Sequence, residues 1–101
     1  MNVVVLAGRL TKDPEVYTGT TTVAKYTLAV DKRNDDTDYI SCVAFGKGAE
    51  FAQKYLHKGM KIIVEGHIQT GSYEKDGRKV YTTDVVVENH EFAEKKSDMP
   101  F

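Results

Sequence analysis

The sequence predicts an all-β domain closed by one helix. Two patterns carry that reading. Val, Ile, Thr and Tyr gather in runs that clusters of Gly, Asp and Asn interrupt, as they do in β-sheet proteins. Only one stretch, residues 47–58, replaces the alternation of apolar side chains with a helical spacing. At 101 residues the chain suits one compact domain, and an apolar share of 41% supports a modest core. Domains this small are often stabilised by association, so an oligomer is expected.

Taken in order, residues 2–11 are apolar almost throughout and form a well-covered first strand, which Asp13-Pro14 stops. Residues 21–30 make the second, with Ala24, Tyr26, Leu28 and Val30 on one face. A polar loop, 31–38, leads to a third strand over 39–45. There Ile40, Cys42 and Ala44 face the core, while Tyr39, Ser41, Val43 and Phe45 face away. The helix over 47–58 carries an apolar stripe of Ala49, Ala52, Tyr55 and Leu56, with Lys58 in its last turn and Gly59 at its C-terminal cap. The fourth strand, 61–70, points Ile62, Val64 and Ile68 inward. Asp76-Gly77 marks a turn, so residues 71–79 form the tip of a long hairpin. The fifth strand covers 80–88 and runs on toward Phe92. The order β-β-β-α-β-β is that of an OB-fold, a five-stranded Greek-key barrel whose sheet face and loops bind oligonucleotides.

Composition excludes several functions and leaves one open. The formal net charge is −1, so the chain lacks the strongly basic balance of many nucleic-acid binders. A local basic groove is still allowed, because residues 91–101 hold Glu91, Glu94 and Asp98 against Lys95 and Lys96, and the remainder is neutral. Cys42 is the single cysteine, which fits a reducing cytoplasm and excludes a disulfide framework or a Cys-rich zinc site. No leader or membrane span is expected from the short apolar run at the start. Gly46-Lys47-Gly48 is too short for a phosphate-cradling loop. His57, His67 and His90 lack metal-type spacing, and no nucleophile–base arrangement can be argued. No metal, cofactor or catalytic activity is expected.

What remains is a set of aromatic rings among basic residues. Tyr39 and Phe45 share the face of the third strand opposite its core face, an unfavourable exposure unless something covers them. Bases stack on such rings largely irrespective of sequence. Tyr73 sits at the hairpin tip beside Lys75, Arg78 and Lys79, and Arg9, Lys12, Lys47 and Lys58 could contact phosphates. Each has a plainer reading. Phe45 could pack under the helix, Tyr39 could fill a subunit interface, and the hairpin could be simply solvated. Arg9 and Lys12 could pair with Asp13 or Glu15.

Asn2-Val-Val-Val-Leu-Ala-Gly-Arg-Leu-Thr-Lys-Asp-Pro-Glu15 closely resembles the N-terminal strand of bacterial single-stranded DNA-binding proteins. So do Tyr26-Thr-Leu-Ala-Val30, Asp38-Tyr-Ile-Ser-Cys-Val-Ala-Phe-Gly-Lys47, Tyr55-Leu-His-Lys-Gly59, Val64-Glu-Gly66 and Tyr81-Thr-Thr-Asp-Val-Val-Val87. The resemblance runs over about residues 1–92, in order. It implies a homotetramer, or less often a dimer of two-domain chains, around which single-stranded DNA wraps in replication, recombination and repair, and three aromatic stacking positions that fall on Tyr39, Phe45 and Tyr73. It also implies phosphate contacts from Lys47 and Lys58. A replication-assembly or RNA-binding OB-fold factor acting through protein contacts is the alternative.

The sequence departs from that pattern in places. It has no tryptophan, and the short loop 31–38 holds Lys32, Arg33 and Asn34 where many members carry another aromatic. Residues 69–72 lack the basic side chains of several members. Binding somewhat weaker than that of the stronger members is expected. A binding domain over 1–92 is followed by a short tail, 93–101. Its end, Asp98, Met99, Pro100 and Phe101, resembles the acidic Pro-Phe tip through which the family recruits replication and repair proteins. The linker that usually precedes the tip is almost absent. The expected setting is the cytoplasm, at the nucleoid, with no membrane partner.

Overall fold

Alternation along each strand decides which side meets the core, and pairing decides which strands share it. In the computed structural model, residues 1–93 are described; the tip residues Asp98 to Phe101 lie outside them. The elements are β1 (Val4–Leu10), β2 (Glu15–Tyr17), β3 (Val23–Asp31), β4 (Thr37–Phe45), α1 (Lys47–Tyr55), β5 (Lys61–Lys75) and β6 (Arg78–Phe92).

Five of the strands form a ring. β1 runs antiparallel to β5, from Val4 opposite Gly66 to Arg9 opposite Lys61. β5 pairs antiparallel with β6, and β6 runs parallel to β4 over Cys42–Val85, Val43–Val86 and Ala44–Val87. β4 pairs antiparallel with β3, and β3 returns to β1 through Arg9–Ala29 and Leu10–Leu28. This is the OB-fold, with β2 added on the outer edge of β3. Closing the ring removes most free sheet edges.

The ring encloses Leu10, Ala24, Leu28, Cys42, Ala44, Ile62, Val64, Val85 and Val87, and α1 plugs one end with Ala49, Ala52 and Leu56. Small side chains at Ala44, Ala49 and Ala52 let the helix lie close to the sheet. Cys42 is core, as its alternation indicates, and burial pushes its thiol up to about 12, with Asp84 adding to the rise. Tyr26 carries a polar group into this region. Its hydroxyl lies 2.6 Å from His90 Nε2, while Phe51 stacks on the His90 ring at 5.2 Å. Burial raises the tyrosine's pKa and lowers the histidine's, so both partners are held neutral.

Several elements differ from the sequence reading. α1 ends at Tyr55, one turn short of Lys58. Leu56 is pulled into the core, which extends its backbone (φ −96°, ψ 133°) and ends the helix there. Gly59 therefore does not cap the helix; it turns the chain with φ 85°, and its N–H donates to the Leu10 carbonyl at 2.8 Å. Tyr55 is exposed, and Phe51 takes its place against the core. Ile68 is on the inward face of β5 but is exposed, because β5 and β6, each 15 residues long, continue past the ring as a two-stranded ribbon. Asp76 and Gly77 at its tip both have positive φ, 53° and 76°, the two-residue turn whose twist suits a hairpin. At Glu65/Gly66 the ribbon carries a bulge, where a Cβ on residue 66 would run into the Val86 carbonyl.

The His90 environment fixes the sign of one pH response. Its folded pKa lies below the ordinary 6.5, so the unfolded chain takes up the proton first. The stability it contributes is complete above about pH 6.5 and declines as pH falls below that value. Urea unfolding at pH 7.5 and 5.5 should show a drop in stability that His90→Gln reduces. An equal drop in both proteins would assign the acid loss to other groups.

Candidate nucleic-acid interface

β4 presents Tyr39, Ser41, Val43 and Phe45 outward because Ile40, Cys42 and Ala44 are claimed by the core. Tyr39 and Phe45 are 69% and 48% exposed, so neither is covered within the chain, and Phe45 does not pack under α1. At ~3.3 Å per residue the two rings mark the ends of a track about 20 Å long. The register continues this face over the neighbouring strands. Val23, Lys25, Thr27 and Ala29 of β3 stand beside Phe45, Val43, Ser41 and Tyr39. Across the parallel seam Val86 stands beside Val43, and Asp84, one alternation earlier, falls beside Ser41.

A groove of ≈ 420 Å³ lies on this face, with Lys25, Val43 and Phe45 on one side and Gln69, Gly71 and Thr82 of the ribbon on the other. Tyr73 pairs with Val80 on the ribbon face that also carries Gly71 and Thr82, so it belongs to the same surface as Phe45. Lys75 and Arg78 pair on that face as well. Lys79 is on the opposite face, where its Nζ sits 5.6 Å from the Tyr81 ring. The hairpin's cations are therefore split, two beside Tyr73 and one away from it.

The remaining basic residues fall in different places. Lys47 is exposed at the start of α1, two residues after Phe45. Gly46 between them has φ 59° and ψ −123°, a bend that a side chain would strain. Lys12 lines a smaller adjoining groove with Lys25, Asp13, Thr27 and Ser41. Lys58 is held by its backbone, whose N–H donates to Asp13 Oδ1 at 2.8 Å, leaving its ammonium exposed. Arg9 is engaged elsewhere: its Nη1 donates to the Gly59 carbonyl at 2.9 Å. Neither expected acid partner pairs in the way its sequence proximity suggests. Asp13 accepts from Lys58, and Glu15 accepts from the Tyr17 hydroxyl at 2.8 Å. In the β3–β4 loop, Lys32 Nζ pairs with Asp38 at 2.9 Å.

Sequence reasoning missed Lys25. It is exposed, borders both grooves, and its Nζ lies 5.9 Å from the Tyr17 ring. The signal was present, since Ala24 and Tyr26 inward require residue 25 outward. Its aromatic neighbours are distant in sequence, however, and only the β3–β4 register brings them together. Asp84 was missed for the same reason.

Among the described residues no group of His, Cys, Asp and Glu is arranged to hold a metal ion, and no helix is long and apolar enough to cross a membrane. An outward aromatic track, a cationic rim and an OB ring are the geometry, and comparison with known proteins agrees with it. Residues 1–93 match the model of the single-strand binding protein family. The chain belongs to that family. Its relatives include a single-stranded DNA-binding protein of Clostridium perfringens, 53% identical over 98 residues, covering 91% of this chain and 65% of that protein. One from Fusobacterium nucleatum is 43% identical, covering 96% and 70%. A single-stranded DNA-binding protein 3 of Clostridium acetobutylicum is 50% identical, covering 93% and 72%. The chain thus spans about two thirds of the length of these relatives. The family is one of binding proteins rather than enzymes.

The tie between Asp13 and the Lys58 turn can be tested without any ligand. Asp13→Ala should cost ~1 kcal/mol in urea unfolding, the ordinary net worth of such a hydrogen bond. A change within error would show that water replaces the carboxylate at no cost.

Proposed function

We propose that this chain binds single-stranded DNA with little regard to sequence, stacking bases on Tyr39, Phe45 and Tyr73. The single observation that carries the reading is the uncovered aromatic track of β4, continuous through the groove with the Tyr73 face of the ribbon. Exposing such rings to water is unfavourable unless a partner stacks on them, and bases do so at roughly 1–3 kcal/mol each. Phosphates then lie along the rim, on Lys12, Lys25 and Lys47, with Lys58, Lys75 and Arg78 farther out. Lys79 and Arg9 contribute less, since one faces the other side of the ribbon and the other is engaged with Gly59.

The relatives, single-stranded DNA-binding proteins, support DNA rather than RNA as the strand. Within this reading residues 1–92 are the binding module and the chain works as a homotetramer, in the cytoplasm at the nucleoid. Replication, recombination and repair are the processes it serves, by covering exposed strands. Asp98 to Phe101 form a tip that presents a ring and a carboxylate to replication and repair proteins.

Anisotropy of a labelled oligo(dT), titrated at several salt concentrations with duplex DNA and poly(U) as competitors, tests the reading. Tight binding that duplex does not displace and that weakens with salt is expected. Phe45→Ala should lose roughly 1–3 kcal/mol of affinity. Lys25→Ala and Lys47→Ala should each lower the salt slope by about 0.7. Binding to poly(U) as strong as to oligo(dT) would overturn the choice of DNA over RNA, and affinity that survives loss of Phe45 in a folded protein would sink the stacking assignment.

A further inference from the structure

The groove that should receive a polyanion has a carboxylate in its floor. Asp84 is half-buried on the outward face of β6, opposite Gln69 of β5, with Thr82 and Val86 on either side of it. Across the seam it lies beside Ser41, between Tyr39 and Phe45 on β4 and nearer to Tyr39. No hydrogen bond or ion pair joins it to any described residue, and Lys25, the cation lining the same groove, is on β3, two strands away. A phosphate cannot settle there, because like charges repel at close range. A strand in this groove must therefore turn its phosphates to the rim and its base edges to the floor.

A carboxylate accepts hydrogen bonds and donates none, and it has two oxygens side by side. The base edges of a single strand are unpaired and open to such a partner. Guanine offers two adjacent donors, N1–H and the N2 amine, which match the two oxygens. Thymine offers one N–H flanked by two carbonyl oxygens, which the carboxylate repels. Neighbouring Gln69, Thr82 and Ser41 can donate to the other polar atoms of a base held there.

We propose that Asp84 is a base-selecting residue, accepting the N1–H and N2–H of a guanine in the groove floor and so giving an otherwise tolerant surface a preference for guanine over thymine. This rests on the single-strand reading above and adds a specificity to it. In a groove open to water the ordinary net worth of a hydrogen bond sets the scale: the preference should be about threefold to tenfold per occupied groove.

The test compares three oligonucleotides of equal length: all thymidine, thymidine with isolated guanines, and the same with inosine, which keeps N1–H and lacks the N2 amine. The natural protein should bind the guanine strand about threefold to tenfold more tightly than oligo(dT), with inosine between them. Asp84→Asn, nearly isosteric and at the surface, should bring the three affinities together and raise binding to oligo(dT). Equal affinities for the three strands in the natural protein, a result that needs no variant, would overturn the proposal. So would an Asp84→Asn protein that gains the same factor on all three, since Asp84 would then only repel the backbone. No binding to any strand would overturn the single-strand reading itself, and this inference with it.

Discussion

The parallel seam of Cys42, Val43 and Ala44 against Val85, Val86 and Val87 is the contact on which the rest of the molecule depends. It is three residues long and, among the described residues, the only parallel pairing. Without it the ring would open into one sheet, β4–β3–β1–β5–β6, with β4 and β6 as its free edges. With it, inward residues of both strands complete the core, and their outward residues complete the groove. The same pairing that buries Cys42 beside Val85 sets Val43 beside Val86 on the outside. Alternation links the two faces strictly: a slip of one residue would put Phe45 inside and Ala44 outside. Core packing therefore holds the aromatic track in place.

How a nearly neutral chain could take up a polyanion is a question of position rather than total. Screening limits the reach of an exposed charge to about 10 Å at 0.1 M salt. The acids of the β3–β4 loop, Asp31, Asp35 and Asp36, act mainly on their own end, and Lys32 already pairs with Asp38 there. Lys12, Lys25 and Lys47 act on the groove. Asp13 and Glu15 share the smaller groove with Lys12 and Lys25, whereas Asp84 lies in the larger groove without a paired cation among the described residues, and this makes it the most informative of these acids.

The ring and its plug were legible because burial imposes period two on strands and a stripe on the helix. Both patterns are visible at Ala24–Tyr26–Leu28 and at Ala49–Ala52–Leu56. Element ends were not, for reasons that lie in three dimensions. Leu56 ends the helix because the core draws it in, and nothing in its neighbours signals that. Ile68 reads as core because alternation cannot say where the ring stops and the free ribbon begins. The three-residue β2 has too short a pattern to detect. In the candidate site the rings were legible, as apolar side chains on a face that should be polar. Lys25 and Asp84 were not. An isolated charge on a strand is ordinary, and only cross-strand register turns these two into groove residues.

The three rings also differ in what holds them, which orders their contributions. Phe45 and Tyr39 sit on β4, which is paired with β3 along its whole length, with β6 over Cys42–Ala44, and is backed by core. Their backbone is fixed before any ligand arrives, so stacking costs little more than side-chain freedom. Tyr73 is on a two-stranded ribbon that is exposed on both faces from Ile68 onward. Such a ribbon is marginally stable alone in water, whatever the quality of its turn. A base stacking on Tyr73 must also order the arm, and that entropy subtracts from the contact. The ring in the closed barrel should therefore hold the strand, and the arm should close over it second. The arm gains most when the groove is already occupied, because a strand lying on Phe45 supplies the second surface that the ribbon lacks.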